Sequence, residues 1–600
     1  MAWYDEAVFY HIYPLGLAGA PKQNDYGEPV HRLNTLLPWV DHIKEIGGSA
    51  LYIGPLFESV GHGYETTDYK KLDSRLGTNE DLTAFVAYCH EQGIKVIFDG
   101  VFNHTGRDFF AFKDIQANRE NSHYKDWYCN VNFWGNNEYN DGFSYDNWGG
   151  YNLLVKLNQK NPAVVDYICD VIRFWVSEFD VDGIRLDAAD VLDFDFMKAL
   201  RRTANEVKPD FWLMGEVIHG DYSRWVNGET LHSVTNYTLH KALYSGHNDH
   251  NYFEIAHTVR RLQNMGTLKL YNFVDNHDVE RIYTKLTNKA HFAPVHVLLY
   301  TLPGVPSIYY GSEFGIEGRK EYGSDDSLRP ALNIEDYKDS VKTNPCTALI
   351  AALGKVRQAV PALSYGSYDE LMLTNRQFAY ARDLDGTRVI VSVNNDDAPA
   401  VMHLAAGNCT AYIGALSGEK VSVQDGHINI TQPANSGEIW VPDGTDLNVK
   451  PVKMETKAKN KTESEAKTNT ENKAASETAT DAKGNKEAEP KIESKGIVTA
   501  TESADAKKNT TDIEKNTTAA NEVKNSAKDA SAQAAADTPV DPETITVDWS
   551  KSPESMTVPE LQAAILAKLA GNGPVDAQMK KTVVDNIWHD SLVNWLKSFR

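Results

Sequence analysis

Cysteine is scarce in this chain: 600 residues carry only Cys89, Cys129, Cys169, Cys346 and Cys409. The five thiols are odd in number and far apart, with no Cys-x-x-Cys pair. That excludes a disulfide framework or a thiolate metal site as the organising device. Cys89 and Cys169 fall in helical patterns and read as core thiols. Positive charge is also short: 60 Lys and Arg face 83 Asp and Glu, a net charge of −23. Nucleic acid or an anionic membrane as main partner needs the opposite balance. No apolar run is long enough to cross a bilayer. The N-terminus, Met1 to Pro14, has acids where a secretory leader has a basic region, so the cytoplasm is the expected compartment. Residues 446–548 lack aromatics altogether and are rich in Lys, Glu, Thr, Asn and Ala. Such a segment cannot bury enough surface to offset its ordering entropy, and is expected to be a disordered linker.

What is present is a regular alternation of short apolar runs and helical patterns up to about residue 361. The pattern predicts strands near Val8 to Pro14, Ala50 to Phe57, Lys95 to Phe102, Val181 to Leu186, Phe211 to Val217, Ser233 to Leu239, Leu268 to Val274 and Ser307 to Tyr310. Helical spacing falls between them, for example from Asn79, read as the N-cap, to Gln92, and from Pro162 to Phe179. Eight strands alternating with helices are the count of an α/β fold closed as a (β/α)8 TIM barrel. The run from 104 to 158 is too long for a βα loop and reads as a small subdomain inserted after strand three. Its Trp and Tyr residues suit a mini-core, or stacking on sugar faces. Residues 362–445 show short alternating strands with turn signals, a C-terminal antiparallel β-sandwich. After the linker, 549–600 carries two amphipathic helical stripes. Thr557 with Glu560 offers a capping box for the first, Leu561, Ile565, Leu566 and Leu569; the second runs from Met579 to Phe599. A tethered helical pair suggests docking to a protein partner, or to the chain itself.

Four segments put acids or histidines at the ends of apolar runs: Asp99–His104, Asp182–Asp190, Gly215–Val217 and Phe273–Asp278. Acids are rarely left in a core unless paired. Capping salt bridges explain one such acid easily and four together poorly. On a barrel, Asp187, Glu216 and Asp278 would face one mouth, where parallel barrels build their active sites. Paired carboxylates serve retaining glycoside hydrolysis, with a third to hold sugar hydroxyls. Arg185 shares a strand face with Asp187 and can hold it ionised; His104 and His277 can donate hydrogen bonds to a sugar. A hard cation at Asp99–His104 stays open at this point.

These segments resemble the α-amylase superfamily of glycoside hydrolases. DGVFNH, GIRLD, GEV and FVDNHD are similar to its four motifs, in order. The resemblance implies Asp187 as nucleophile, Glu216 as acid/base and Asp278 as transition-state stabiliser. It places Asp99, His104, Arg185 and His277 at the substrate, with Tyr64 stacking on the sugar and His62 beside it, from GHGYETTDY. Asp325 and Arg329, in GSDDSLRP, match a late Asp/Arg pair. LVKLN, at Leu154–Asn158, is similar to the MPKLN segment of neopullulanases and cyclomaltodextrinases. Those enzymes usually carry an extra N-terminal domain, whereas this chain enters strand one directly and reads as a short, intracellular member. Many α-amylases have Lys-His where this chain has Ala189 and Asp190, which weakens the usual calcium site. Asn103, a calcium ligand in those amylases, is present.

The expectation is an enzyme cleaving α-1,4-glucosidic bonds in starch-derived glucans and maltodextrins by a retaining mechanism. No redox or nucleotide cofactor is required, and calcium is left open. A cyclomaltodextrinase or neopullulanase, a 4-α-glucanotransferase, and an inactive sugar-binding protein are the rivals.

Overall fold

The computed structural model describes residues 2–266, 268–321, 323–447, 547, 551–553, 556–570 and 596. Contacts divide the chain into two units, Met1–Lys457 and Ala458–Arg600.

The first unit is centred on eight parallel strands: Phe9–Ile12, Ala50–Ile53, Lys95–Gly100, Gly183–Leu186, Trp212–Gly215, Ser233–Val234, Tyr271–Asn272 and Val305–Tyr309. Each pairs with its neighbour in sequence order, and strand one pairs with strand eight, Phe9 opposite Ser307. A parallel bridge from Thr235 to Tyr271 joins strands six and seven and closes the barrel. Period-two alternation decides which side chains fill it. Phe9, Ala50, Tyr52, Ile97, Trp212, Met214 and Tyr271 form the inner core. Tyr10, Leu51, Ile53, Val96, Phe98, Ile184 and Leu213 face outward into the helix layer. Phe9 stacks on Trp212 with ring centres 5.0 Å apart.

Two local expectations are corrected. The sixth strand is only Ser233–Val234, and Leu239 lies in the helix Tyr237–Asn248. The apolar pattern there is one turn of helix against the barrel, which a period-two template also matches over so few residues. The helix Asn79–Glu91 is capped by Thr78, with Asp81 as the return partner of the box. Asn79 instead ties down the preceding strand, accepting from Leu72 N at 2.8 Å and donating to Lys70 O at 2.9 Å.

The inserted segment pairs back on the barrel loop, His104 antiparallel to Lys156. Its own core is aromatic: Phe112 meets Tyr128 at 5.4 Å and Tyr145 at 5.0 Å. Beyond the helix Pro345–Ala359, a six-stranded and a two-stranded antiparallel sheet form the β-sandwich, over Ser367–Pro442. Ile390, Met402, Leu404, Ile428 and Trp440 pack between the two sheets.

In the second unit, the helix Val558–Ala570 starts at Thr557, whose backbone N donates to Glu560 at 2.7 Å. Leu561, Ile565 and Leu566 pack with Met556 and Leu596. Apart from 446–447 and 547, the linker expected over 446–548 lies outside the described residues, as does the second helical stripe except for Leu596.

Asp182, at the lower end of strand four, anchors the barrel floor. It accepts from His90 at 2.7 Å, Val96 N at 3.0 Å, and Lys95 and Lys208 at 2.9 Å. Burial would raise its carboxyl, but these donors outweigh burial and hold it well below the usual range. A folded-state value below the unfolded one stabilises the fold above pH ~4 and loses that effect as pH falls toward the folded value. Asp182→Asn is therefore expected to cost roughly 3 kcal/mol in urea unfolding at pH 7. The gap from the parent should narrow below pH ~4. A gap independent of pH would show that packing, not charge, sets the cost.

Candidate active site

Strand register stacks the polar residues in layers. Asp99 lies opposite Arg185, and Arg185 opposite Met214. The ladder then continues past the strands: Asp187 N donates to Gly100 O at 3.0 Å, and Glu216 N to Leu186 O at 2.9 Å. Asp187 and Glu216 each follow an inward residue by two positions, so both project to the barrel axis one layer above Arg185. Close approach is allowed on the other side by Gly54, where a Cβ would sit 2.4 Å from Asp99 Cβ.

One guanidinium serves three carboxylates. Arg185 Nη1 reaches Asp99 Oδ1 at 2.8 Å and Asp187 Oδ1 at 2.9 Å, and Nη2 reaches Glu216 Oε2 at 2.8 Å. Arg185 and Asp99 are buried, at 3% and 2% exposure. Burial, together with the charges of Glu216, Asp99 and Asp278, pushes the Asp187 carboxyl well above its usual range despite Arg185. Burial and the surrounding carboxylates thus favour a proton on Asp187. Asp278 is different. Burial opposes its charge, but His277 at 3.0 Å and Arg329 at 2.9 Å outweigh that and hold it well below the usual range.

The remaining sequence-derived residues join the same network. Tyr64 donates to Asp99 Oδ2 at 3.2 Å, hydrogen-bonds His277, and stacks on the His277 ring at 5.7 Å. Burial keeps its hydroxyl protonated by pushing it well above the ordinary value. His104 Nε2 donates to Tyr64 O at 3.1 Å, and burial lowers that imidazole to about 3, so it is neutral. His62 lies against Glu65 at 3.2 Å. Arg329 bridges Asp325, at 3.0 Å, to Asp278 and also donates to His277 O at 3.0 Å. His62, Tyr13, Tyr151, Asp325 and Arg329 line a cavity of about 900 Å³ opening from this point. Beneath the acids the space open to a water molecule is only about 10 Å³, so the barrel is a packed floor and not a pore.

Sequence reasoning missed several participants. Tyr52 donates to Asp99 Oδ2 at 2.8 Å; its signal was the inward phase of strand two. Tyr237 donates to Glu216 Oε1 at 3.4 Å and accepts from Asn276 at 3.2 Å. It was hidden because that stretch reads as strand. Ala188 donates its N–H to Glu216 Oε2 at 3.1 Å from a left-handed conformation, φ 46°. That conformation costs a non-glycine residue roughly 1 kcal/mol and carries no sequence signal.

Asn103 is engaged by neighbouring side chains. Its amide oxygen takes Gln159 Nε2 at 3.4 Å and its amide nitrogen faces His104 Nδ1 at 3.2 Å. Gln159 in turn accepts from Asp193 N at 2.7 Å. Among the described residues no group of three or more His, Cys, Asp and Glu is placed to hold a metal.

Carboxylates converging on one guanidinium at the C-terminal mouth of a (β/α)8 barrel, with aromatic and histidine donors around an open cleft, define a barrel enzyme of the glycosidase type. The family model for the alpha amylase catalytic domain matches residues 32–355. The chain is 30% identical over 446 residues to a cyclomaltodextrinase of Bacillus sp, covering 70% of this chain and 78% of the relative. It is 29% identical over 473 residues to neopullulanase 2 of Thermoactinomyces vulgaris, covering 73% and 78%. A solved cyclomaltodextrinase structure superposes with TM-score 0.66 at 27% identity, over 73% of this chain and 78% of that one. The chain belongs to the alpha-amylase family and is a glycoside hydrolase. Among the described residues no helix is long and apolar enough to cross a membrane.

Proposed function

We propose that this enzyme hydrolyses α-1,4-glucosidic bonds in maltodextrins and related starch-derived glucans with retention of configuration. The observation that carries this reading is the placement of Asp187 and Glu216 on the two terminal nitrogens of one buried guanidinium. One carboxyl must be protonated and its neighbour ionised for double displacement, and repulsion between two carboxylates on one guanidinium disfavours ionising both at once. Glu216, held by Ala188 N and Tyr237, protonates the leaving oxygen. Asp187 attacks the anomeric carbon and forms a glycosyl-enzyme. Glu216 then takes a proton from the incoming water. Asp278, kept ionised by His277 and Arg329, accepts sugar hydroxyls and stabilises the oxocarbenium-like transition state. Tyr64 offers an aromatic face to the sugar at the cleavage point. Asp99 acts through Arg185.

The names of the relatives support a preference for small or cyclic glucans, and the LVKLN segment agrees with them. The same reading assigns catalysis to a barrel over 1–361 with its insertion at 104–158, leaving 362–445 as a separate β-domain. Product profiles test it. Soluble starch, maltoheptaose, pullulan and β-cyclodextrin should all be supplied, with products separated by chromatography. The expected result is maltodextrin products with the α-anomer formed first. Faster attack on cyclodextrin or pullulan than on starch assigns the cyclomaltodextrinase and neopullulanase specificity. No product from any of the four overturns the α-glucan reading.

A further inference from the structure

The inserted subdomain buries six of its thirteen aromatic residues and exposes one almost completely. Phe143 and Tyr128 are 0% and 2% exposed, whereas Trp134 is 98% exposed. A solvated indole forgoes the ~2–3 kcal/mol that burial of a large apolar side chain provides. The backbone that carries it is pinned, however. Trp134 N donates to Asn132 Oδ1 at 3.0 Å, and Asn132 pairs with Ser144 through two backbone bonds, at 2.8 and 3.0 Å. Gly135 follows without room for a side chain, since a Cβ there would lie 2.3 Å from Ser144 Oγ. The neighbouring Phe133 turns the other way, with its ring centre 5.7 Å from that of Phe143 and the Arg119 guanidinium over it at 5.6 Å. Alternation on a rigid turn therefore aims Trp134 at solvent.

Trp134 and Phe133 form the apolar wall of a shallow cavity of about 640 Å³. The facing polar residues include Asn130, Asp146 and Glu120, and no Lys or Arg lines it. The cavity shares no residue with the catalytic cleft. Arg119 lies 3.8 Å from Glu120, and the carboxamides and carboxylates of the lining offer hydroxyl groups both donors and acceptors. An indole face suits the C–H face of a pyranose ring. We infer that Trp134 and this cavity form a second carbohydrate site, which holds an α-glucan chain outside the catalytic cleft. The choice of glucan rests on the function proposed above. The site would keep a long substrate near the enzyme between cleavages, raising its effective concentration at the cleft. Short oligosaccharides, which cannot span both sites, would gain nothing.

The test uses the full chain. Electrophoresis in gels containing soluble starch reads glucan binding, with Glu216→Gln as the background so that the gel is not digested. Adding Trp134→Ala is expected to weaken retardation about tenfold in apparent Kd, with Trp134→Phe intermediate. Trp134→Ala alone should hydrolyse maltotriose at the parental rate, while its KM for starch rises. Unchanged retardation by Trp134→Ala overturns the inference, as does a parent that starch does not retard; the indole would then serve a protein contact or none. A proportional loss of maltotriose turnover also overturns it, by placing Trp134 in the catalytic cleft. Failure of the α-glucan function reads differently: the parent then cleaves no maltotriose at all, whatever the gel shows.

Discussion

Replacing Asp187 with Ala should lower kcat on maltoheptaose by about 10⁴-fold or more, because covalent catalysis and charge stabilisation at the anomeric carbon are lost together. Low residual activity alone would not identify a nucleophile. Azide supplies the distinguishing outcome: it enters the space vacated by the carboxylate and attacks the anomeric carbon from that side. With an activated aryl α-maltoside, the expected product is the β-configured glycosyl azide, assigned by proton NMR. An α-configured azide, or no rescue, would remove Asp187 from the nucleophile's role. The same variant has a stability signature. Burial and neighbouring charges push the Asp187 carboxyl up, and a carboxyl with a raised folded value opposes folding once pH exceeds its unfolded value near ~4. Asp187→Ala is thus expected to be neutral or up to ~1 kcal/mol more stable than the parent at pH 7. A loss of several kcal/mol would mean that the Arg185 contact at 2.9 Å holds the fold rather than the chemistry.

Glu216→Gln should keep the shape of the side chain while turning one acceptor oxygen into a donor, and lower kcat on maltoheptaose by about 10³–10⁴-fold. The loss depends on the leaving group. A sugar alkoxide needs the proton in the transition state, whereas 4-nitrophenolate hardly does, so an aryl maltoside should lose markedly less in its first step. The pH profile provides a second readout. In the parent, activity falls on the alkaline side when the acid/base carboxyl loses its proton. The substituted carboxamide has no such proton to lose, so that limb should flatten in the variant. An equal loss on both substrates with an unchanged profile would make Glu216 a positioning residue.

The four acid-bearing segments were legible because each follows an apolar run and lies at the end of a barrel strand. The inward phase of a strand is a local property: Arg185 and Asp187 differ by two residues, so they share a face in any register. The partners that complete the site are not local. Tyr237 reaches Glu216 from the first turn of a helix whose sequence reads equally as a strand. Gln159 bridges Asn103 and Asp193, three positions from separate segments that no pattern links. The sixth and seventh strands are two residues long, no longer than a single period of the alternation that identifies a strand.

Composition and patterning determined the class of the fold, the alternation of eight strands with helices, and the identity of the acids at the mouth. These follow from which residues can be buried and with what period. Tertiary structure decided the rest. Closure of the barrel set Asp187 and Glu216 on one guanidinium. It placed Gln159 against Asn103. Packing of the insertion then separated aromatics of similar local sequence, burying Phe143 and leaving Trp134 in solvent. Each of these outcomes depends on distances between segments far apart in the chain, and a one-dimensional pattern carries no term for them.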